Sequence, residues 1–126
     1  MYSECHFLDV KDPDGNQYTI KLEQQYFAIG RSNNNDIILS NPEKIISRQQ
    51  CVLKYEAKCW WVVDEFSANG TYVQQGNNSA TPIDVRPYGR VRLNDGDAIL
   101  ILGRLLEGEE AGFWRLTLSQ PAQPTN

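Results

Sequence analysis

Short runs of β-branched and aromatic residues recur along the chain, and turn-forming residues separate them. No apolar pattern of helical period lasts long enough to compete with these runs. Ten short strands are too many for one flat sheet, so we expect two sheets packed face to face with functional loops at one end. The predicted strands of this all-β domain are Cys5–Val10, Tyr18–Leu22, Tyr26–Ile29, Asp36–Ile38, Gln49–Tyr55, Trp60–Asp64, Thr71–Val73, Tyr88–Leu93, Asp97–Leu102 and Gly112–Leu118.

The length of 126 residues corresponds to one domain. Residues 1–118 carry the strand signals and are predicted to form that domain. Residues 119–126 are rich in Pro and Gln, which is typical of a flexible C-terminal tail or linker. We therefore expect a monomeric module that is part of a longer protein.

Composition excludes several classes of partner. The formal net charge is −4, without the basic excess that binding to a nucleic-acid backbone requires. No apolar run reaches the roughly 18 residues of a membrane span, so membrane insertion is not expected. Three cysteines, an odd number without a C-x-x-C pair, favour reduced thiols and a cytoplasmic location.

Catalytic and metal chemistry also find little support in the sequence. His6 is the single histidine, so a zinc site or a Ser-His or Cys-His nucleophile pair would have to be built around the N-terminus. The Asp and Glu residues at turns are explained by turn chemistry. We expect no catalytic residues, no metal and no cofactor, and therefore not an enzyme.

Three polar stretches lie at the ends of predicted strands: residues 29–32, 46–50 and 64–71. Arg31 and Arg48 supply planar, permanently charged donors that suit two oxygens of one phosphate. The hydroxyl of Ser47 can add a third hydrogen bond. Together these residues indicate recognition of a small phosphorylated motif at a locally basic end of an acidic domain.

The order and spacing of these stretches resemble the forkhead-associated (FHA) domain. The matching features are the Gly-Arg at 30–31, the Ser-Arg at 47–48 and the Asp-x-x-Ser-x-Asn-Gly-Thr at 64–71. Residues 35–37 and the Leu-x-x-Gly-Asp at 93–97 also look like this family. The resemblance covers about residues 4–118, nearly the whole chain.

This resemblance implies an eleven-stranded β-sandwich of two twisted sheets, like that of SMAD and FHA domains, which binds phosphothreonine peptides in signalling without catalysis. Carried over by position, Arg31 and Ser47 look like the phosphate contacts, and Arg48 looks like a further phosphate or flanking-residue contact. Asn69 resembles the residue that hydrogen-bonds the peptide backbone. Gly30 and Gly70 would shape the loops, through close backbone approach or positive φ.

Two positions depart from the family pattern. Gln50 stands where the family has a histidine that buttresses the binding loops, and glutamine can hydrogen-bond but lacks the shape of the ring. Ala68 stands where many members have a polar residue. The change at Gln50 motivates an alternative hypothesis, a degenerate FHA scaffold that mediates phospho-independent interaction or dimerisation.

Residues 74–86 are longer than a tight turn and leave two interpretations open. They form either a tolerated surface insertion, which we favour, or a second contact surface near the peptide groove. Residues 82–85 could add an edge strand. Arg86, Arg90 and Arg92 are predicted to lie on a solvated strand face.

Overall fold

The computed structural model describes residues 5–40, 44–76, 81–104 and 112–120. These residues form two β-sheets. One sheet has the strand order β2-β1-β11-β10-β7-β8, and the other has the order β4-β3-β5-β6-β9. The strands are β1 (Phe7–Lys11), β2 (Gln17–Lys21), β3 (Tyr26–Gly30), β4 (Ile37–Ile38), β5 (Cys51–Glu56), β6 (Cys59–Asp64), β7 (Tyr72–Gln74), β8 (Ile83–Asp84), β9 (Arg90–Leu93), β10 (Ala98–Arg104) and β11 (Gly112–Ser119).

Alternating burial along the strands explains why the two sheets pack together. In β11 the side chains of Trp114, Leu116 and Leu118 are buried, whereas Phe113 and Arg115, which alternate with them, are exposed. A period of two places all three buried residues on one face of the sheet. The core between the sheets is built from such inward faces, which confirms the predicted all-β sandwich and its eleven strands.

The strand boundaries differ from the sequence prediction by up to two residues, and around residue 88 the structure shows the reason. Tyr88–Leu93 was predicted as one strand, but Arg86–Tyr88 forms a short 3₁₀ helix and β9 begins at Arg90. Pro87 lies in the first turn of this helix, and Gly89 follows it with a φ of 78°. This turn changes the chain direction, so a strand cannot start at Tyr88. The edge strand suggested within residues 82–85 is present as β8.

The chain ends described here lie at the same end of the sandwich. Phe7 at the start of β1 pairs with Ser119 at the end of β11. Strand β11 ends at Ser119, one residue beyond the predicted end, and the amide of Gln120 donates a hydrogen bond to Asp95 Oδ1. Residues 121–126 of the predicted tail lie outside the described residues.

This same end holds an aromatic cluster beside the β5–β6 hairpin. Ring centroids of Tyr55 and Trp60 are 5.0 Å apart, and His6 lies 6.1 Å from Trp60. A cavity of about 730 Å³ opens next to these rings. We call this region the aromatic end. Within the described part of the chain, no helix is long and apolar enough to cross a membrane.

Candidate functional site

Three loops meet at the end of the sandwich opposite the aromatic end. The first loop (residues 31–36) follows β3, the second (residues 44–50) precedes β5, and the third (residues 65–71) follows β6. The amide of Arg31 donates to Ser47 O at 3.1 Å, and the amide of Glu65 donates to Gln50 O at 3.1 Å. The structure therefore brings all three predicted polar stretches together, and we call this region the loop end.

Arg31 leaves β3 with a half-buried side chain whose orientation is fixed. Its Nε donates to Ile46 O at 2.9 Å. This bond uses one of the five guanidinium N–H groups and leaves the terminal nitrogens to bind an anion. Among the described residues, neither Arg31 nor Arg48 forms an ion pair. Two unneutralised guanidinium groups therefore lie at the loop end, and the side chain of Arg48 is exposed.

Ser47 links the second loop to the third. Its Oγ accepts a hydrogen bond from the amide of Ala68 at 2.9 Å. Because the oxygen is held as an acceptor by this bond, the hydroxyl hydrogen remains available for a phosphate oxygen. The bond comes from the main chain at Ala68, so the absence of a polar side chain at this position does not affect it.

Asn69 lies at the exposed edge of the third loop. Its Nδ2 donates to Ile45 O at 2.9 Å, which ties the third loop to the second. This bond orients the amide and leaves the carbonyl oxygen Oδ1 to accept from a peptide N–H. All four predicted binding residues, Arg31, Ser47, Arg48 and Asn69, thus belong to adjoining loops at one end.

Gln50 is buried, with 1% of its surface exposed, and its side chain bonds both its own second loop and the third loop. Its Oε1 accepts from the amide of Ser47 at 3.0 Å. Its Nε2 donates to Gly70 O at 2.9 Å and to Thr71 Oγ1 at 3.1 Å. A buried amide with all these partners holds two loops in register. The amide of Gln50 therefore links the second and third loops by hydrogen bonds, although it lacks the ring of a histidine.

Gly30 is required by a close approach of main chain. A Cβ at this position would lie 2.3 Å from Arg48 O and 2.9 Å from Asn35 Nδ2. Asn35 is buried, and its Nδ2 donates to Ser32 O at 2.9 Å and to Arg48 O at 2.7 Å. Glycine thus allows the first and second loops to lie against each other, and Asn35 joins them.

A second hydrogen-bond network shapes the third loop from below. Asp64 accepts bonds from the amide and hydroxyl of Ser67 and from Thr71 Oγ1. Ser67 Oγ in turn accepts from the amide of Gly70 at 3.0 Å. The Asp-x-x-Ser spacing was visible in the sequence, but its role as the internal support of this loop was not inferred.

Gly70 has a φ of 88°, the left-handed region that favours glycine. A Cβ here would lie 2.9 Å from the guanidinium of Arg86. Arg86 forms an ion pair with Asp84 at 2.8 Å and lies 3.5 Å from the hydroxyl of Tyr72. The hydrogen bonds from Arg86 lower the pKa of the Asp84 carboxyl below its usual value.

The position of Arg86 differs from the sequence prediction. It was expected on a solvated strand face, but it lies in the 3₁₀ helix and against Gly70 of the third loop. Of residues 74–86, those numbered 77–80 lie outside the described residues. The described end of this segment therefore borders the loop end, and no sequence rule indicated this contact.

Cys51 lies directly after the second loop and is completely buried. Burial, and then the charge of Asp64, raise the pKa of its thiol above the usual value. The group therefore stays protonated and is a poor nucleophile. No cluster of three or more His, Cys, Asp or Glu side chains that could hold a metal occurs in the described ranges.

Comparison with known proteins points to one family. Residues 27–102 match the family model of the FHA domain. The sequence matches no curated protein.

Three solved structures illustrate the similarity of fold. A structure from work on phosphothreonine-dependent FHA domain interactions has 21% identity and a TM-score of 0.59, with coverage of 96% of this chain and 99% of the other. The FHA domain of an Arabidopsis thaliana hypothetical protein has 19% identity and a TM-score of 0.62, with coverage of 98% and 92%. Mycobacterium tuberculosis EmbR, in complex with a low-affinity phosphopeptide, has 25% identity and a TM-score of 0.59, with coverage of 95% of this chain and 26% of EmbR.

Proposed function

The chain belongs to the FHA domain family, and on that premise we propose that it binds phosphothreonine peptides. It would thereby mediate phosphorylation-dependent protein interaction in signalling, as a monomeric, non-catalytic module. Two structural neighbours support the proposed binding of phosphothreonine peptides. One was solved in work on phosphothreonine-dependent FHA domain interactions, and the other, EmbR, is in complex with a low-affinity phosphopeptide. The three cysteines are free thiols, in keeping with the cytoplasmic location that we also propose.

The observation that carries the proposal is the pairing of Arg31 with Ser47. The two residues are joined by a main-chain hydrogen bond of 3.1 Å, and each keeps donors that its internal bonds do not use. A phosphate placed between them would accept charge-assisted hydrogen bonds from the guanidinium and a neutral one from the hydroxyl. Arg48 supplies a second positive charge at the same end, and the amide oxygen of Asn69 can accept from the peptide main chain.

The test is titration of paired peptides, identical except for the phosphate, against the wild-type protein and Arg31→Ala. We expect the phosphopeptide to bind the wild type and Arg31→Ala to lose about 2–3 kcal/mol, a factor of roughly 30–150 in affinity. Arg90→Ala is the matched control. Arg90 is an exposed arginine that stacks on Trp61, with 3.9 Å from Cζ to the ring centroid, and pairs with Glu56 away from the three loops.

Equal affinity of the wild type for the two peptides would refute the proposal. An equal loss for Arg31→Ala and Arg90→Ala would show that the effect of Arg31 is a general effect of charge. Ser47→Ala and Asn69→Ala are expected to weaken binding by smaller factors, because each removes a neutral hydrogen bond.

The alternative is a degenerate FHA scaffold that binds partners without phosphate or dimerises, suggested by Gln50 in place of histidine. NMR titration with inorganic phosphate separates the two functions. Shifts at Arg31 and Ser47 would support the phosphopeptide function, whereas an unchanged spectrum with concentration-dependent dimerisation would support the scaffold. The hydrogen bonds by which Gln50 joins the second loop to the third favour the first outcome.

A further inference from the structure

Phe66 in the third loop has two features that seldom occur together. Its side chain is 98% exposed, although it is large and apolar. Its main chain has a φ of 56°, a left-handed conformation that bulky residues rarely adopt. Glycine or asparagine would suit this position better, and an exposure of 98% leaves the ring almost no packing against the described residues. An outlier of this kind in a loop points to a role in function.

The backbone around Phe66 is firmly held. The amide of Glu65 donates to Gln50 O at 3.1 Å, and the amide of Ala68 donates to Ser47 Oγ at 2.9 Å. Ser67 is buried and bonded to Asp64. Fixed residues therefore lie on both sides of Phe66, and its ring is presented to solvent two residues from the bond to Ser47.

The surroundings of the ring indicate what it would contact. The exposed side chains of Arg48 and Asn69 belong to the same loop end. A peptide bound through its phosphate and main chain there would place a flanking side chain near the third loop. Contact would remove two apolar surfaces from water, a favourable process. The arginines at this end disfavour a basic flanking residue through like-charge repulsion.

We propose that Phe66 is a specificity-determining residue, which selects an apolar side chain flanking the phosphothreonine. This inference rests on the phosphopeptide binding proposed above. It adds to the binding surface a residue that does not touch phosphate. It also predicts a partner sequence with an aliphatic or aromatic residue beside the modified threonine.

Selection from an oriented phosphothreonine peptide library tests the proposal with the wild type, Phe66→Gly and Phe66→Leu. Phe66→Gly removes the ring and relieves the left-handed backbone, so it should fold at least as stably as the wild type. We expect the wild type to enrich apolar residues at one flanking position, and Phe66→Gly to lose that enrichment alone. A peptide with the selected residue should bind Phe66→Gly about five- to tenfold more weakly, and Phe66→Leu should keep most of the preference.

Tyr26→Thr is the matched control, since Tyr26 is another aromatic residue, 53% exposed, that begins β3 away from the three loops. It should leave the selection unchanged. The inference is overturned if Phe66→Gly keeps the enrichment or if the lost preference is for basic residues. It is also overturned if Phe66→Gly weakens a peptide with alanine at every flanking position as much as it weakens the selected peptide. If only the inference about Phe66 is wrong, the wild type still binds phosphopeptides and Arg31→Ala is still defective in binding all of them. A wild type that binds no phosphopeptide overturns both proposals.

Discussion

The two ends of the sandwich are stabilised in different ways. At the loop end, the buried side chain of Gln50 and the half-buried side chain of Asp64 bond to main-chain groups of the third loop. At the aromatic end, rings of Tyr55, Trp60 and Phe27 pack together, and Phe27 and Trp60 have centroids 6.2 Å apart. One end depends on directional hydrogen bonds and the other on apolar contact.

This difference indicates where binding groups can be placed with accuracy. A hydrogen bond fixes both distance and angle, so a loop held by several of them orients its side chains well. Aromatic packing has weaker angular preferences than a hydrogen bond, so it fixes the position of a side chain less strictly. The aromatic end also contains the indole Nε1 of Trp60, which is buried and has no hydrogen-bond partner in the described part of the chain.

The largest effect is expected for Gly30→Ala, which introduces a Cβ only 2.3 Å from Arg48 O. The neighbouring main chain must move, and the bonds of Ser32 and Asn35 to Arg48 O weaken with it. We expect a loss of at least about 3 kcal/mol in the free energy of unfolding. Chemical denaturation measures this loss, and a loss under about 1 kcal/mol would contradict the rigidity of the loop end.

Gln50→Leu and Trp60→Phe are expected to differ in cost. Both residues carry a buried polar group, but among the described residues only that of Gln50 has hydrogen-bond partners. Gln50→Leu leaves the amide of Ser47 and the carbonyl of Gly70 without their bonds, at a cost of about 2–3 kcal/mol. Trp60→Phe removes apolar volume but also an unpartnered N–H, so its net cost should be about 1 kcal/mol. Thermal or denaturant unfolding gives both values, and equal losses would remove the distinction between the ends. Only Gln50→Leu should also weaken phosphopeptide binding.

The smallest difference is expected between Gly70→Ala and Gly96→Ala. Both glycines have a φ of 88°, so alanine would be strained by a left-handed backbone at either position. Among the described residues nothing would lie within 4 Å of a Cβ at Gly96, whereas Arg86 would lie 2.9 Å from a Cβ at Gly70. We expect about 1 kcal/mol of destabilisation for Gly96→Ala and up to roughly 1 kcal/mol more for Gly70→Ala. Identical stabilities would mean that Arg86 moves aside freely, and peptide titration would then show whether its position affects binding.

The sequence predicted the architecture well because the strands alternate in polarity and the turns carry their usual residues. One error, the strand predicted from Tyr88, arose because the 3₁₀ helix at Arg86–Tyr88 takes up the first residue of that predicted strand. Turn geometry of this kind depends on contacts that are distant in sequence. For example, the amide of Val85, the residue before the helix, donates to Thr71 O at 2.9 Å.

The sequence indicated candidate binding residues at the loop end, but not the contacts that hold their loops together. The order and spacing of the motifs, and the resemblance to the FHA domain that they carry, singled out Arg31, Ser47, Arg48 and Asn69 as candidates. The sequence could not show that Gln50 bonds to residues 20 and 21 positions further along the chain. The exposure of Phe66 could not be predicted either, since an apolar residue next to a strand is usually buried.

The position of the described chain ends has a practical consequence. His6 and Gln120 both lie at the aromatic end, against Trp60 and Asp95 respectively, and the three loops face the other way. A fluorophore, an affinity tag or a neighbouring domain joined at either end would therefore extend away from the loops. Such attachments would let the protein be anchored to a surface with the three loops directed outward, so the two described ends are usable handles for assembling larger molecules around it.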